Sequence, residues 1–181
     1  PMLGAAILNG HPAVRFDGVD DQLAIRGFSN AYLAGKPFTV ILVTQSQDNW
    51  FGVGGNAENG GGGNRGFTSL APIITMQHGE KVSVAAPQDA PAITVYQHDG
   101  ETTASARTNG RPAGSRNDLP VVREFGSGGN LACPQWTGTD SHPGDVAEII
   151  AYDRKLTLAE IESVEQYLAA RYGISTGWRW H

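Results

Sequence analysis

The sequence predicts an all-β sandwich that ends in one amphipathic helix, and three observations support that prediction. Glycine is abundant, at 24 of 181 residues, while charged residues make up only 17%. This balance favours a loop-rich β chain over a helical one. Apolar and polar residues alternate over most of the chain, as they do in strands. The long helical pattern lies near the end, over 157–172.

Size and charge narrow the class of protein. A chain of 181 residues with a hydrophobic fraction of 40% can fill one core, so we expect a single domain over 1–181. The formal net charge of −5 opposes binding to nucleic acid or to an anionic membrane. The chain contains no run of 18 or more apolar residues, so membrane insertion is not expected. No motif points to an organic cofactor.

The first half of the chain predicts two early strands and one central strand. Strands over 13–16 and 22–25 flank the turn Asp17-Gly18-Val19-Asp20-Asp21, whose residues tolerate positive φ. Pro37 then introduces the β-branched run 38–43. Such a run is typical of a strand buried on both faces, so we expect it at the centre of a sheet.

Later strands follow the same pattern. We predict them over 73–77, 81–85, 93–98 and 145–152, with a loop over 126–129. Asn109-Gly110 should join strands 105–108 and 111–113 in a hairpin, because both residues accept the positive φ of a type I′ turn.

The helix has start and stop signals. Thr157 and Glu160 have the spacing of a capping box, and Gly173 supplies a C-terminal stop. An apolar stripe should face the core; it consists of Leu158, Ile161, Val164, Leu168 and Tyr172. We expect the opposite face to be exposed to water; it includes Glu162, Glu165 and Arg171.

The segment 48–66 is the first candidate for ligand binding. It contains four consecutive glycines, and aromatic residues lie beside it, as on surfaces that stack sugars. The alternative is a plain connector, since glycine-rich tracts are costly to order. The candidate ligand-binding residues of the whole chain are Trp50, Asn56, Asn64, Arg65, Gln77, Tyr96, His98 and Trp136.

Three stretches together carry a family resemblance. They are NGHPAVRFDGVDDQLAI, RTNGRPAG and GDVAEIIAYDRKLTLAEIESVEQYLAARYGI. They resemble a laminin G-like domain of the concanavalin A-like superfamily. The resemblance implies a jelly-roll β-sandwich of two antiparallel sheets with a C-terminal helix. Such modules commonly begin with an extra strand, and no residues before Asn9 resemble it. Either the module lacks that strand, or a neighbouring domain or subunit donates it and completes the sheet edge.

The resemblance also implies a function. It points to a non-catalytic, extracellular recognition module that binds carbohydrate or a protein surface. Calcium is the expected metal, because such relatives often hold it through loop carboxylates; the candidate ligands are Asp20, Asp21, Asp140 and Asp145. The alternative is a structural component of a surface or virion assembly.

Enzymes on the same fold form the third possibility. A glycoside hydrolase needs two carboxylates on one face, and Asp145 and Glu148 are three residues apart, which predicts opposite faces of a strand. A polysaccharide lyase would gather polar residues on one sheet. Tyr96, His98 and Arg107 are predicted by parity to share a face.

Overall fold

The computed structural model describes residues 2–21, 23–26, 36–46, 67–70, 73–76, 80–83, 90–118, 128–131 and 143–177. Within these ranges the chain forms twelve strands and one helix, and all strand pairing is antiparallel. The predicted all-β class with a C-terminal helix is therefore confirmed. No helix among these residues is long and apolar enough to cross a membrane.

The elements have the following bounds. The strands are β1 Met2–Leu8, β2 His11–Asp17, β3 Leu23–Arg26, β4 Pro37–Ser46, β5 Phe67–Leu70, β6 Ile73–Met76, β7 Glu80–Ser83, β8 Ala92–Asp99, β9 Ala104–Thr108, β10 Arg111–Arg116, β11 Gly128–Leu131 and β12 Pro143–Tyr152. The helix α1 spans Leu158–Tyr172. Strands β1, β5 and β11 were not predicted; β11 begins inside the loop expected over 126–129.

One seven-stranded sheet, here called the main sheet, organises the described part of the chain. Its strand order is β1-β2-β12-β4-β8-β9-β10, which puts β4 at the centre as predicted. Two smaller sheets contain β11-β3 and β5-β6-β7, so the described residues form three sheets where the resemblance implied two. The strand β3 pairs with β11 and not with β2. The turn at 17–21 is therefore a corner between sheets and not a hairpin.

The central strands β4 and β8 of the main sheet are buried on both faces. On one face, called the helix face, Ile41 and Val95 pack in a core with Ile161 and Leu168 of α1. On the opposite face, Phe38 of β4 is also completely buried. Alternation sends neighbouring strand residues to opposite faces, and the run from Phe38 to Val43 is buried throughout. The sheet is thus an inner layer, as the β-branched run predicts.

The helix follows its predicted boundaries but not its predicted exposure pattern. Thr157 and Glu160 form the capping box, and Gly173 adopts the left-handed conformation at the C-cap, with φ of 65°. Glu165 was expected in water but is fully buried, whereas Leu158 was expected in the core and is 56% exposed. The prediction is wrong at Glu165 because its carboxylate pairs with Arg107 of the sheet; it is wrong at Leu158 because this first helical residue projects into solvent.

Two Asn-Gly turns define the hairpins of the main sheet. Asn109 and Gly110 have φ of 48° and 81°, which confirms the predicted turn between β9 and β10. Asn9 and Gly10 have nearly the same angles and join β1 to β2. The Asn-Gly pair at 9–10 carries the same hairpin signal. The strand β1 occupies the edge of the main sheet that was expected to lack a strand.

Candidate functional site at the acidic corner

The ends of β2, β4 and β12 bring polar side chains together at one end of the main sheet. Asp145 of β12 is paired with Arg15 of β2 on one side and with Gln45 of β4 on the other. Residues directly opposite each other in a ladder point to the same face, so these three side chains lie together. They line a cavity of about 300 Å³ with Asp17 of the adjoining turn. We call the acidic corner the set Arg15, Asp17, Asp20, Asp21, Gln45 and Asp145.

An ion pair lies at the centre of the acidic corner. Arg15 donates from Nε and from a terminal nitrogen to the two carboxylate oxygens of Asp145, each at 2.8 Å. The hydrogen bonds to Asp145 and its charge raise the pKa of Arg15. The Arg15 side chain remains 54% exposed, whereas that of Asp145 is 10% exposed. The guanidinium is therefore held in place and still faces solvent.

The turn beside this pair gathers three carboxylates. Oxygen atoms of Asp17, Asp20 and Asp21 all lie within 4.8 Å of one another. The backbone N–H of Val19 donates to Asp17 at 2.8 Å, and that of Asp17 donates to Asp21 at 3.1 Å. These bonds hold the turn in shape.

Glycine is required at position 18 for two reasons. Its φ of 78° lies in the left-handed region, and a Cβ there would come within 2.6 Å of Cδ of Pro143. Either effect would strain the backbone with a larger residue. Gly18 therefore fixes the turn against the first residue of β12.

The predicted metal ligands separate in the structure. Asp20 and Asp21 lie together, as a calcium site requires, and Asp17 joins them although it was not predicted. Asp145 has both oxygens bound by Arg15. Asp140 lies outside the described residues. Asp17 could have been found from the sequence, because it ends a strand at the start of the same acidic turn.

Two of the predicted ligand-binding residues are described, and both are buried. Tyr96 and His98 are each 3% exposed in β8, and the His98 ring stacks on Phe38 with centroids 5.7 Å apart. The backbone N–H of Gly100 donates to Nδ1 of His98. Burial lowers the pKa of His98, which favours the neutral ring. Trp50, Asn56, Asn64, Arg65, Gln77 and Trp136 lie outside the described residues.

Arg107 does not share a face with Tyr96 and His98. In the ladder of β8 and β9, Tyr96 is opposite Ala106 and Val95 is opposite Arg107. Arg107 therefore lies on the helix face, and the predicted grouping of the three is wrong. Parity within single strands could not reveal this, because the register between the two strands decides it.

A bulge also corrects the prediction for Asp145 and Glu148. The register of β12 shifts between Val146 and Glu148, so Asp145 is opposite Gln45 while Glu148 is opposite Val43. Gln45 and Val43 are two residues apart, and the two carboxylates therefore share the helix face. Each is bound by a donor: Asp145 by Arg15, and Glu148 by the hydroxyl of Tyr172 at 2.8 Å. Carboxylates that accept such hydrogen bonds can orient a ligand or stabilise the fold.

In comparisons with known proteins, the fold is similar to part of several solved sialidases. No protein-family model matches the chain, and no curated protein matches it. The solved structures that resemble it include Trypanosoma rangeli sialidase, at TM-score 0.62 and 16% identity over 91% of this chain and 28% of that one. The K499G mutant of NanB sialidase from Streptococcus pneumoniae matches at TM-score 0.61 and 14% identity, over 83% of this chain and 27% of that one.

These neighbours correct two expectations. They are sialidases, which are glycoside hydrolases, and so the expectation of a non-catalytic recognition module is corrected: the neighbours give it no support. They are not laminin G-like proteins, so of that resemblance only the β-rich fold is supported. The chain spans about a quarter of the length of the sialidases, at 27–28%. At this identity the likeness shows the fold alone.

Proposed function

We propose that this chain is a glycan-holding domain of a glycoside hydrolase, and that it contacts its glycan at the acidic corner. The observation that carries the proposal is the cavity of about 300 Å³ at which Arg15, Asp17, Gln45 and Asp145 converge. Its size falls within the range of small-molecule sites. The similarity to sialidases supports a role in glycan cleavage.

The chemistry of the acidic corner suits sugar hydroxyl groups. Carboxylates accept hydrogen bonds, a guanidinium donates them, and an amide such as that of Gln45 does both. The ion pair and the turn hold these groups in position before a ligand arrives, which lowers the cost of ordering them. Because carboxylates outnumber the single arginine, the acidic corner favours neutral sugar units over anionic ones.

A titration of the chain with neutral oligosaccharides tests the acidic corner. We expect lactose or a related neutral oligosaccharide to shift the backbone NMR signals of 15–21, 45 and 143–145. The double variant Asp17→Asn/Asp20→Asn should weaken binding by about tenfold or more, since a lost hydrogen bond to a charged group is worth about 1.5 kcal/mol. Glu101→Gln is the matched control, because Glu101 is an exposed carboxylate in another turn.

The hydrolase half of the proposal needs its own measurement. Release of free sugar from the same oligosaccharides and from sialylated ones should be followed for the wild type and the double variant. A glycan-holding role predicts a higher KM with an unchanged kcat for the variant. If no glycan is bound or cleaved, the proposal is wrong.

We also propose that the acidic turn binds calcium. Asp17, Asp20 and Asp21 supply oxygens within 4.8 Å of one another, and hard oxygen ligands are those that calcium prefers. These three carboxylates would hold the metal, which would supply a cation at the turn. Isothermal titration with CaCl₂ tests this: binding that is lost in Asp20→Asn supports it, and the absence of binding contradicts it.

The finer fold class remains a proposal as well. A buried antiparallel sheet with a terminal helix supports assignment to the concanavalin A-like superfamily. An experimental structure tests that assignment: a second antiparallel sheet packed face to face on the main sheet is required. An extracellular location is proposed on the same resemblance, whereas the chain's own β1 fills the sheet edge for which a partner was expected.

A further inference from the structure

A second cavity lies on the helix face, at the end of the main sheet where α1 begins. It has a volume of about 410 Å³ and is bounded by β8, β9, β10 and the start of α1. We call it the helix-start cavity. The residues that give it its chemical character are Ser105, Arg107, Ser115, Lys155, Leu156 and Leu158.

The lining of this cavity combines polar and apolar groups. Ser105 and Ser115 offer hydroxyl groups, while Leu156 and Leu158 form an apolar wall. A sugar ring has the same two aspects, hydroxyl groups at its edge and C–H groups on its faces. Leu158 is 56% exposed. Large apolar side chains at the edge of a cavity are available for such contacts.

The charge of the helix-start cavity differs from that of the acidic corner. Lys155 contributes a cation to its lining, and Arg107, which also lines it, is already paired with Glu165. The neighbouring carboxylates are already engaged: Glu165 accepts from Arg107 and from the N–H of Gly110, and Glu160 accepts from Arg154. Among the described residues, no carboxylate pairs with Lys155. An ammonium group near a polar cavity attracts an anionic ligand.

We infer that the helix-start cavity binds a sugar that carries a carboxylate, such as a sialic acid or a uronic acid. The carboxylate pairs with Lys155, the hydroxyl groups bond to Ser105 and Ser115, and an apolar part of the sugar rests on Leu158. This inference rests on the proposed glycan function and adds a second, anionic contact to the neutral one at the acidic corner.

Three methyl glycosides test the ligand class. The chain is titrated with the methyl glycosides of N-acetylneuraminic acid, glucuronic acid and galactose, and the NMR signals of 105–107, 112–115 and 155–161 are followed. We expect one or both carboxylate sugars to shift these signals, with an affinity that falls as salt is added. Comparison of the first two sugars distinguishes sialic from uronic acid. Equal or tighter binding of the galactoside overturns the inference.

Two pairs of variants locate the interaction. Lys155→Gln should weaken binding of the carboxylate sugar by about tenfold or more, as expected for a hydrogen bond between charged groups, while Lys36→Gln should not.

Leu158→Asp places a negative charge at the cavity and should abolish binding. An acidic residue in the first turn favours a helix, so folding should survive. Ala159→Asp adds the same charge at the next exposed position, outside the cavity lining, and should retain most of the binding.

The signals separate failure of this inference from failure of the proposed function. Shifts at 15–21 and 143–145 without shifts at the helix-start cavity would leave the acidic corner assigned and overturn the second site. Shifts only at the helix-start cavity would support the second site and reject the acidic corner. If neither region responds to any sugar, both assignments are wrong.

Discussion

Two arginine–carboxylate pairs lie on the same face of the main sheet in opposite environments. At the acidic corner, Arg15 and Asp145 form two short hydrogen bonds, and the arginine side chain is 54% exposed. Under the helix, Arg107 contacts Glu165 at 3.2 Å, and their side chains are only 13% and 0% exposed. Gly110 completes this second pair by donating its N–H to Glu165 and accepting from Arg107.

The contrast separates a pair that can serve a ligand from one that holds the fold together. Exposed ion pairs contribute only about 0–1 kcal/mol to stability because water screens them. A buried pair that loses one partner leaves an unpaired charge in the interior. Burial raises the pKa of Glu165, and the bonds from Arg107 and Gly110 only partly offset that effect. The hydrogen bonds of the buried pair therefore link α1 to the β9–β10 hairpin.

The largest predicted effect comes from breaking the buried pair. Arg107→Met should lower the free energy of unfolding by about 3–5 kcal/mol, because Glu165 then remains buried without its cation. Urea denaturation followed by circular dichroism measures this. The double variant Arg107→Met/Glu165→Gln should recover much of the loss, since no charge is left buried. A loss below about 1 kcal/mol for the single variant would contradict the contrast.

The exposed pair should give a much smaller change. Arg15→Met should lower the free energy of unfolding less than Arg107→Met does, because the Arg15 side chain is half exposed to water whereas the Arg107–Glu165 pair is not. The same variant should weaken glycan binding at the acidic corner, because the guanidinium that lines the cavity is lost. Denaturation and the oligosaccharide titration measure the two effects. A stability loss equal to that of Arg107→Met would remove the distinction between the two environments.

A third pair extends the comparison to pH. Arg154 donates to Glu160 at 2.7 and 3.0 Å in solvent. Hydrogen bonds from Arg154 and then from Thr157 lower the pKa of Glu160 from 4.5 to about 2. The stabilisation is therefore present above pH 4.5 and is lost as the pH falls towards 2. It should be small, because the pair is exposed.

Glu160→Gln measures this effect. The difference in unfolding free energy between wild type and variant should be constant above pH 4.5 and shrink as the pH falls towards 2, in denaturation series at each pH. Glu162→Gln, on the same helix, serves as the control. A difference that persists unchanged at pH 2 would contradict this prediction, because the charge of Glu160 would then contribute nothing to stability.

Much of the fold could be predicted from local patterns. The run 38–43, the Asn109-Gly110 turn and the capping box all depend on neighbours in the sequence, and each appears where it was predicted. Contacts between distant strands could not be predicted in this way. The bulge between Val146 and Glu148 reversed one face assignment, and the register of β8 with β9 reversed that of Arg107.

The candidate site was only partly predictable for the same reason. The acidic residues 20 and 21 were visible as a cluster, but their position beside Arg15 and Gln45 depends on the pairing of β12 with two strands. The helix-start cavity had no sequence signal, because its lining combines the consecutive strands β8, β9 and β10 with the start of a helix that is distant from them in the chain.

The sequence by itself determined the all-β class, the central strand, the hairpin turn at Asn109-Gly110 and both ends of the helix, because these depend on periodicity and on the φ preferences of single residues. Tertiary structure alone decided which charges are buried. Glu165 lies on the side of the helix that the sequence pattern predicts to be exposed, yet it accepts hydrogen bonds from Arg107 and Gly110. Burial is a property of what packs opposite a residue, and strand register and helix docking set it.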